Sequence, residues 1–133
     1  MKFEIRNSID SLEVALDTLD SRIEARGGSP RLAFAARLAM EELVTNIIKY
    51  GYDDAREHTI RVSFEFGPPA SMSIEDDGHA FDPMRDAPEP DLSGAVAERT
   101  IGGLGLHMVR TMTSSMEYSR EGDRNRLALT FPD

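Results

Sequence analysis

The 133-residue chain contains no cysteine, which excludes disulfides, a thiolate nucleophile and cysteine-ligated zinc. That absence is compatible with a reducing compartment without proving one. Histidine is scarce too: His58, His79 and His107 are scattered, with no metal-ligand spacing. No apolar run approaches membrane-spanning length, and the opening MKFEIRNSID is charged and strand-like, unlike a secretory signal. These absences predict a cytoplasmic protein with no membrane partner. Positive charge is in short supply, with 15 Lys and Arg against 24 Asp and Glu, so a direct nucleic-acid interface lacks its usual electrostatic footprint. A polyphosphate ligand stays open, because backbone amides, helix N-termini and a bound metal can each supply local positive potential.

What is present, 40% hydrophobic and 29% charged residues, suits one soluble globular domain over residues 1–133 with one core. Lys2 to Asn7 alternates as a short strand, and a helix follows from a Ser8 or Asp10 cap to Gly27-Gly28, with Leu12, Leu16, Leu19 and Ile23 in a row. Ser29-Pro30 restarts a helix as cap and first residue. On it Leu32, Ala36, Met40, Leu43 and Ile47 form an apolar stripe, while Glu42, Asn46 and Lys49 line up on another face. A carboxylate one turn before an amide could orient a nucleophile and hold a hard cation such as magnesium. Taken alone, the same row reads as a solvated helix face.

From Thr59 to Phe66 the period is two, and after Gly67-Pro68-Pro69 it resumes from Ala70 to Asp76, predicting an antiparallel hairpin whose last residue, Asp76, points inward. Gly78 to Ile101 carries Pro83, Pro88 and Pro90 and little periodicity, and reads as a functional lid or a disordered excursion. Gly102-Gly103-Leu104-Gly105 then opens a helix with Leu104, Met108 and Met112 expected on its core side. Two last strands, about Met116 to Arg120 and Arg126 to Phe131, turn at Glu121-Gly122-Asp123. The glycines at the third helix start would let backbone amides approach a phosphate, or serve only as a hinge. Asp76-x-Gly78 alone is a common turn.

Together the segments MEELVTNIIKYGY, IEDDGHAFDP and RTIGGLGLHMV resemble the GHKL ATPase superfamily with its Bergerat nucleotide fold, and within it the anti-sigma-factor serine/threonine kinases. The resemblance runs from Phe3 to Phe131. It implies an α+β two-layer sandwich, a mixed and mostly antiparallel sheet of about five strands with three main helices on one face. It implies ATP and magnesium as cofactors, and as partners a sigma factor and an antagonist protein that is phosphorylated on serine or threonine. A homodimer is expected by resemblance only. Carried over by position, Glu42 matches the catalytic carboxylate, Asn46 the magnesium ligand, and Lys49 a basic residue near the phosphates. Asp76 matches the adenine reader, and Gly78 lets the backbone pass the base. Gly103, Leu104, Gly105 and Leu106 match the phosphate loop, and Arg99 a lid arginine. Departures are Ala80 for a second glycine, Tyr50 for a histidine, and Asn125 for a threonine supporting Asp76, a task an amide could perform through water. Glu41 is the other carboxylate within reach, although the spacing to Asn46 favours Glu42. A nucleotide-dependent binding module without turnover and a histidine-kinase catalytic fragment are the competing readings.

Overall fold

Two serine caps set the helical layer. Ser8 accepts the Ser11 N–H at 3.2 Å and starts α1 (Ile9–Ala25); Ser29 accepts the Leu32 N–H at 3.0 Å and starts α2 (Pro30–Tyr50), with Pro30 in its first turn. Each satisfies a donor that the helix leaves unpaired, worth about 1 kcal/mol. The computed structural model describes residues 1–86 and 104–132, apart from the Leu104 side chain. Arg99 and Gly103, with most of the predicted lid, lie outside the described residues.

The remaining elements are β1 (Lys2–Arg6), β2 (Thr59–Glu65), β3 (Ser71–Asp76), the short α3 (Pro83–Asp86), α4 (Leu104–Met112), β4 (Ser115–Glu121) and β5 (Arg124–Thr130). The strands form one five-stranded sheet in the order β1-β2-β3-β5-β4, and all four pairings are antiparallel, so no parallel pair makes the sheet mixed. Alternation decides the faces: Ile5, Ile60, Val62, Phe64, Met72, Ile74, Leu127 and Leu129 are buried, whereas Glu4, Arg61 and Arg126 between them are exposed. Against the apolar face α2 presents Ala36, Met40, Leu43 and Ile47, all buried.

Two expectations need correction. Met108 is not on the core side of α4; it is 39% exposed, and Leu106 and Val109 are buried in its place. The buried pair is three residues apart on one helix face, which Met112, partly buried against the core, extends as expected, while Met108 is turned off it. The stretch after Gly78 is also not wholly irregular, since Pro83–Asp86 forms a helical turn, with Asp82 Oδ1 accepting the Met84 N–H at 3.0 Å. No helix among the described residues is long and apolar enough to cross a membrane.

Candidate functional site

The parity that buries Met72 and Ile74 puts Asp76 on the same face, only 3% exposed. A carboxylate so placed needs donors. Its Oδ1 accepts two hydrogen bonds, from the Gly78 N–H at 2.8 Å and from Asn125 Nδ2 at 3.0 Å, while Oδ2 has no partner among the described residues. Burial pushes the Asp76 pKa above the ordinary 3.8, against the lowering effect of those two donors.

Asn125 is likewise buried and stands opposite Asp76 across β3 and β5 and opposite Arg120 across β5 and β4. Its contact with Asp76 is direct, where the sequence suggested one through water. Nδ2 also donates to the His79 carbonyl at 2.8 Å, and Oδ1 accepts from the Phe81 N–H at 3.3 Å and from the Tyr118 hydroxyl. Arg120 Nη1 donates to the Gly78 carbonyl at 2.7 Å. One strand end and the loop after it are thus fixed by the neighbouring hairpin. Gly78 is required by a close approach: a Cβ there would collide with the Gly51 carbonyl, which accepts the His79 N–H at 2.9 Å.

That contact ties the C-terminal end of α2 to the Asp76 loop. Nine residues earlier, Glu42 is half-buried and Glu41 exposed. The first turn of α4 lies directly over the Glu42 side chain, so that a Cβ on Gly105 would fall on its carboxylate. Burial, then the charge of Glu41, pushes the Glu42 pKa above the ordinary 4.5, with Lys49 opposing. Asn46 follows one turn on, half-buried, and Lys49 is exposed at the end of the row. From Glu42 to Gly51 the helix rises about 14 Å, the span of an extended nucleoside triphosphate. Beside the Asp76 loop opens a cavity of about 550 Å³ lined by Tyr50, His79, Ala80, Phe81, Arg85 and Asp86, with Tyr50 stacked on Phe81 at 5.9 Å.

The structure therefore brings Glu42 to Gly105 near the middle of α2, and Asp76 to Gly78 and Asn125 beside its C-terminal end. The Leu106 side chain does not join them. It is 5% exposed in the core, which leaves only its backbone to face a ligand. Tyr118 and Arg120, which hold Asn125 and the Gly78 carbonyl, were missed from sequence. Arg120 was accessible there: a two-residue Gly122–Asp123 turn fixes the register that sets it opposite Asn125. His58 also meets Asp77, just past the end of β3, a contact between distant segments that no local pattern announces.

A helical layer over an antiparallel sheet, with polar groups strung along one helix from a strand end to a glycine-rich helix start, defines a nucleotide-binding α+β domain. The family model described as the histidine kinase-like ATPase domain matches residues 5–131, and the chain belongs to that family. Over 103 residues it is 29% identical to the serine/threonine-protein kinase BtrW of Bordetella bronchiseptica, covering 77% of this chain and 72% of the relative. Its fold is similar to the RsbU and RsbW domains of Rv1364c from Mycobacterium tuberculosis, with a TM-score of 0.64, 14% identity, and coverage of 98% of this chain but only 31% of the other. A histidine kinase domain from Erythrobacter litoralis EL346 aligns over 91% of this chain and 60% of its own, with 19% identity and a TM-score of 0.52. The chain thus spans about a third and about three fifths of the two solved chains. The family match and the fold likeness agree with the nucleotide-binding superfamily that the sequence resembles.

Proposed function

We propose that this chain is an ATP- and magnesium-dependent anti-sigma-factor serine/threonine kinase, which binds a sigma factor and phosphorylates an antagonist protein. The observation that carries the reading is Glu42 set against Gly105, a carboxylate held at the start of the glycine-led helix where a terminal phosphate would lie. A base there is next to the phosphoryl group it must serve, and its raised pKa makes it a stronger proton acceptor than an exposed carboxylate.

The residues present fit the two cofactors. Asp76 Oδ2 is an acceptor without a partner among the described residues, suited to the exocyclic amine of adenine. A single amide at Asn46, with no His, Asp or Glu cluster among the described residues, suits a metal held mainly by phosphate oxygens. When bound, magnesium and ATP supply the transferable phosphoryl group and the cation that offsets its charge. The chain's own residues orient them: Asp76, Asn125 and Gly78 hold the base, Asn46 the metal, and Lys49, Arg99 and the Gly103, Leu104, Gly105 and Leu106 backbone the phosphates. Glu42 takes the proton from the acceptor hydroxyl. The Bordetella relative's designation as a serine/threonine kinase supports a hydroxyl acceptor. Homodimerisation and a cytoplasmic location complete the proposal.

Calorimetric titration with ATP, with and without magnesium and with GTP as control, tests the binding half. Phosphoryl transfer to an antagonist protein from the same pathway tests the rest. Magnesium-dependent binding selective for ATP is expected, and Glu42→Ala is expected to bind ATP yet transfer about 100-fold or more slowly. Wild-type turnover by Glu42→Ala would move the base assignment to Glu41. Lack of ATP binding would remove the kinase reading itself.

A further inference from the structure

Among the buried side-chain polar atoms of the described residues, the Tyr52 hydroxyl is the one without a hydrogen-bond partner. Burying a hydroxyl unpaired costs free energy, so such an atom in a folded protein calls for a ligand or a water. Its surroundings say which. Tyr52 follows Gly51, whose carbonyl is bonded to the His79 N–H, and its ring stacks face to face on His58 with centroids 4.0 Å apart and planes 11° apart. His58 Nδ1 in turn lies 3.2 Å from Asp77 Oδ1, and Nε2 lies 2.8 Å from Asp54 Oδ1. The segment carrying Tyr52 is therefore tied on both sides to the residues just after Asp76. The carboxylate whose Oδ2 has no partner among the described residues lies close enough to the unpaired phenol for its charge to act on the hydroxyl.

An acceptor beside a donor is the complement of the adenine edge, where the exocyclic amine donates and the ring nitrogen next to it, N1 or N7, accepts. We propose that the Tyr52 hydroxyl is a second base-recognition group, donating to a ring nitrogen flanking the exocyclic amine, directly or across one bound water, while Asp76 accepts from the amine. This rests on the adenine-pocket reading of Asp76 and adds a residue to it. Burial first, and the charges of Asp76, Asp77 and Asp54 next, push the phenol pKa well above its ordinary value of 10.0, so at neutral pH the group keeps its proton and can only serve as a neutral donor or acceptor. Asp76 Oδ2 accepts already, so the part left to Tyr52 is donation.

The test is a cycle between one side-chain atom and one ligand atom. Binding of ATP, 1-deaza-ATP and 7-deaza-ATP is measured calorimetrically for the wild type, Tyr52→Phe and Asp76→Asn. Tyr52→Phe keeps the ring that stacks on His58 and is expected to bind ATP roughly five- to tenfold more weakly. One of the two deaza analogues is expected to bind the wild type more weakly by a similar factor and to bind Tyr52→Phe no more weakly than ATP does. Unchanged ATP affinity in Tyr52→Phe, or equal losses with every ligand, overturns the proposal and leaves the hydroxyl to a structural water. In either case, loss of ATP binding in Asp76→Asn shows that the pocket itself stands. Full ATP affinity in Asp76→Asn overturns the pocket reading and this one with it.

Discussion

The two oxygens of Asp76 have different partners, and that asymmetry separates stability from binding. Both protein donors reach Oδ1, so an asparagine whose carbonyl takes that place keeps the Gly78 and Asn125 bonds. The Asp76 pKa is raised in the fold, which means that the buried charge costs stability once the pH is above its folded value. Asp76→Asn is therefore expected to melt no lower than the wild type at neutral pH while losing ATP binding, checked by thermal melts and calorimetry on one preparation. A melting temperature well below the wild type would show that Oδ2 has a structural partner after all. Gly105 gives the complementary case, over the middle of α2. Its missing Cβ is what lets the helix lie on the Glu42 carboxylate, so Gly105→Ala must displace that carboxylate or the first turn of α4. The expected result is a fall in phosphoryl transfer of about 100-fold, because a base moved by about an ångström loses its geometry. An alanine variant with full activity would mean that Glu42 does not act from this position.

Among the elements, the connection from α2 to β2 is held by a cluster of titratable groups. His58 is held between Asp54 and Asp77, with its side chain 16% exposed, and its hydrogen bond with Asp54 is the largest of the influences raising its pKa above 6.5. The same bond lowers the Asp54 pKa below 3.8. A raised imidazole contributes stability below its unfolded pKa and loses it as the pH climbs through the folded one; a lowered carboxylate contributes above its unfolded pKa and loses it as the pH falls. The clamp is thus complete between 3.8 and 6.5 and weakens on both sides. The melting-temperature gap between the wild type and His58→Gln is expected to be widest in that window and to narrow toward alkaline pH. A gap that stays constant from mildly acidic to alkaline pH would assign His58 to packing on Tyr52 alone. The β4–β5 hairpin holds the Gly78 loop from the other side, through the Arg120 bond to the Gly78 carbonyl and the Asn125 bonds to Asp76 and the His79 carbonyl.

At the scale of the molecule, one core supports both ends of the site. Phe64 is fully buried in β2, packed edge-on against Phe66 at 5.1 Å and tilted against Phe131 at 6.3 Å. Phe64→Ala removes a large side chain from a place that backbone pairing on both sides keeps from collapsing, and about 3–5 kcal/mol of unfolding free energy is expected to go with it. Urea unfolding measures this directly. A loss under about 1 kcal/mol would mean that the neighbouring rings close the gap, and that the sheet is more deformable than its pairings imply. Asp76 lies at the far end of β3 from Met72, the partner of Phe64, so ATP bound there is expected to raise the stability of Phe64→Ala and wild type by similar amounts.

Local chemistry was enough for much of this. The caps at Ser8 and Ser29, the strand alternation, the inward direction of Asp76 and the row Glu42, Asn46, Lys49 each depend on spacing within one element, and spacing is a property of the sequence. The face of α4 was misjudged because a short amphipathic helix fixes its orientation by what it packs on, and Met108 and Leu106 offer similar apolar area to a local count. Which of Glu41 and Glu42 meets α4, the direct bond from Asn125 to Asp76, and the contact of His58 with Asp77 were decided by tertiary structure. Each joins groups from elements far apart in the chain. Their meeting depends on strand register and helix packing, and those are set by the burial of the core as a whole rather than by any residue's neighbours in sequence.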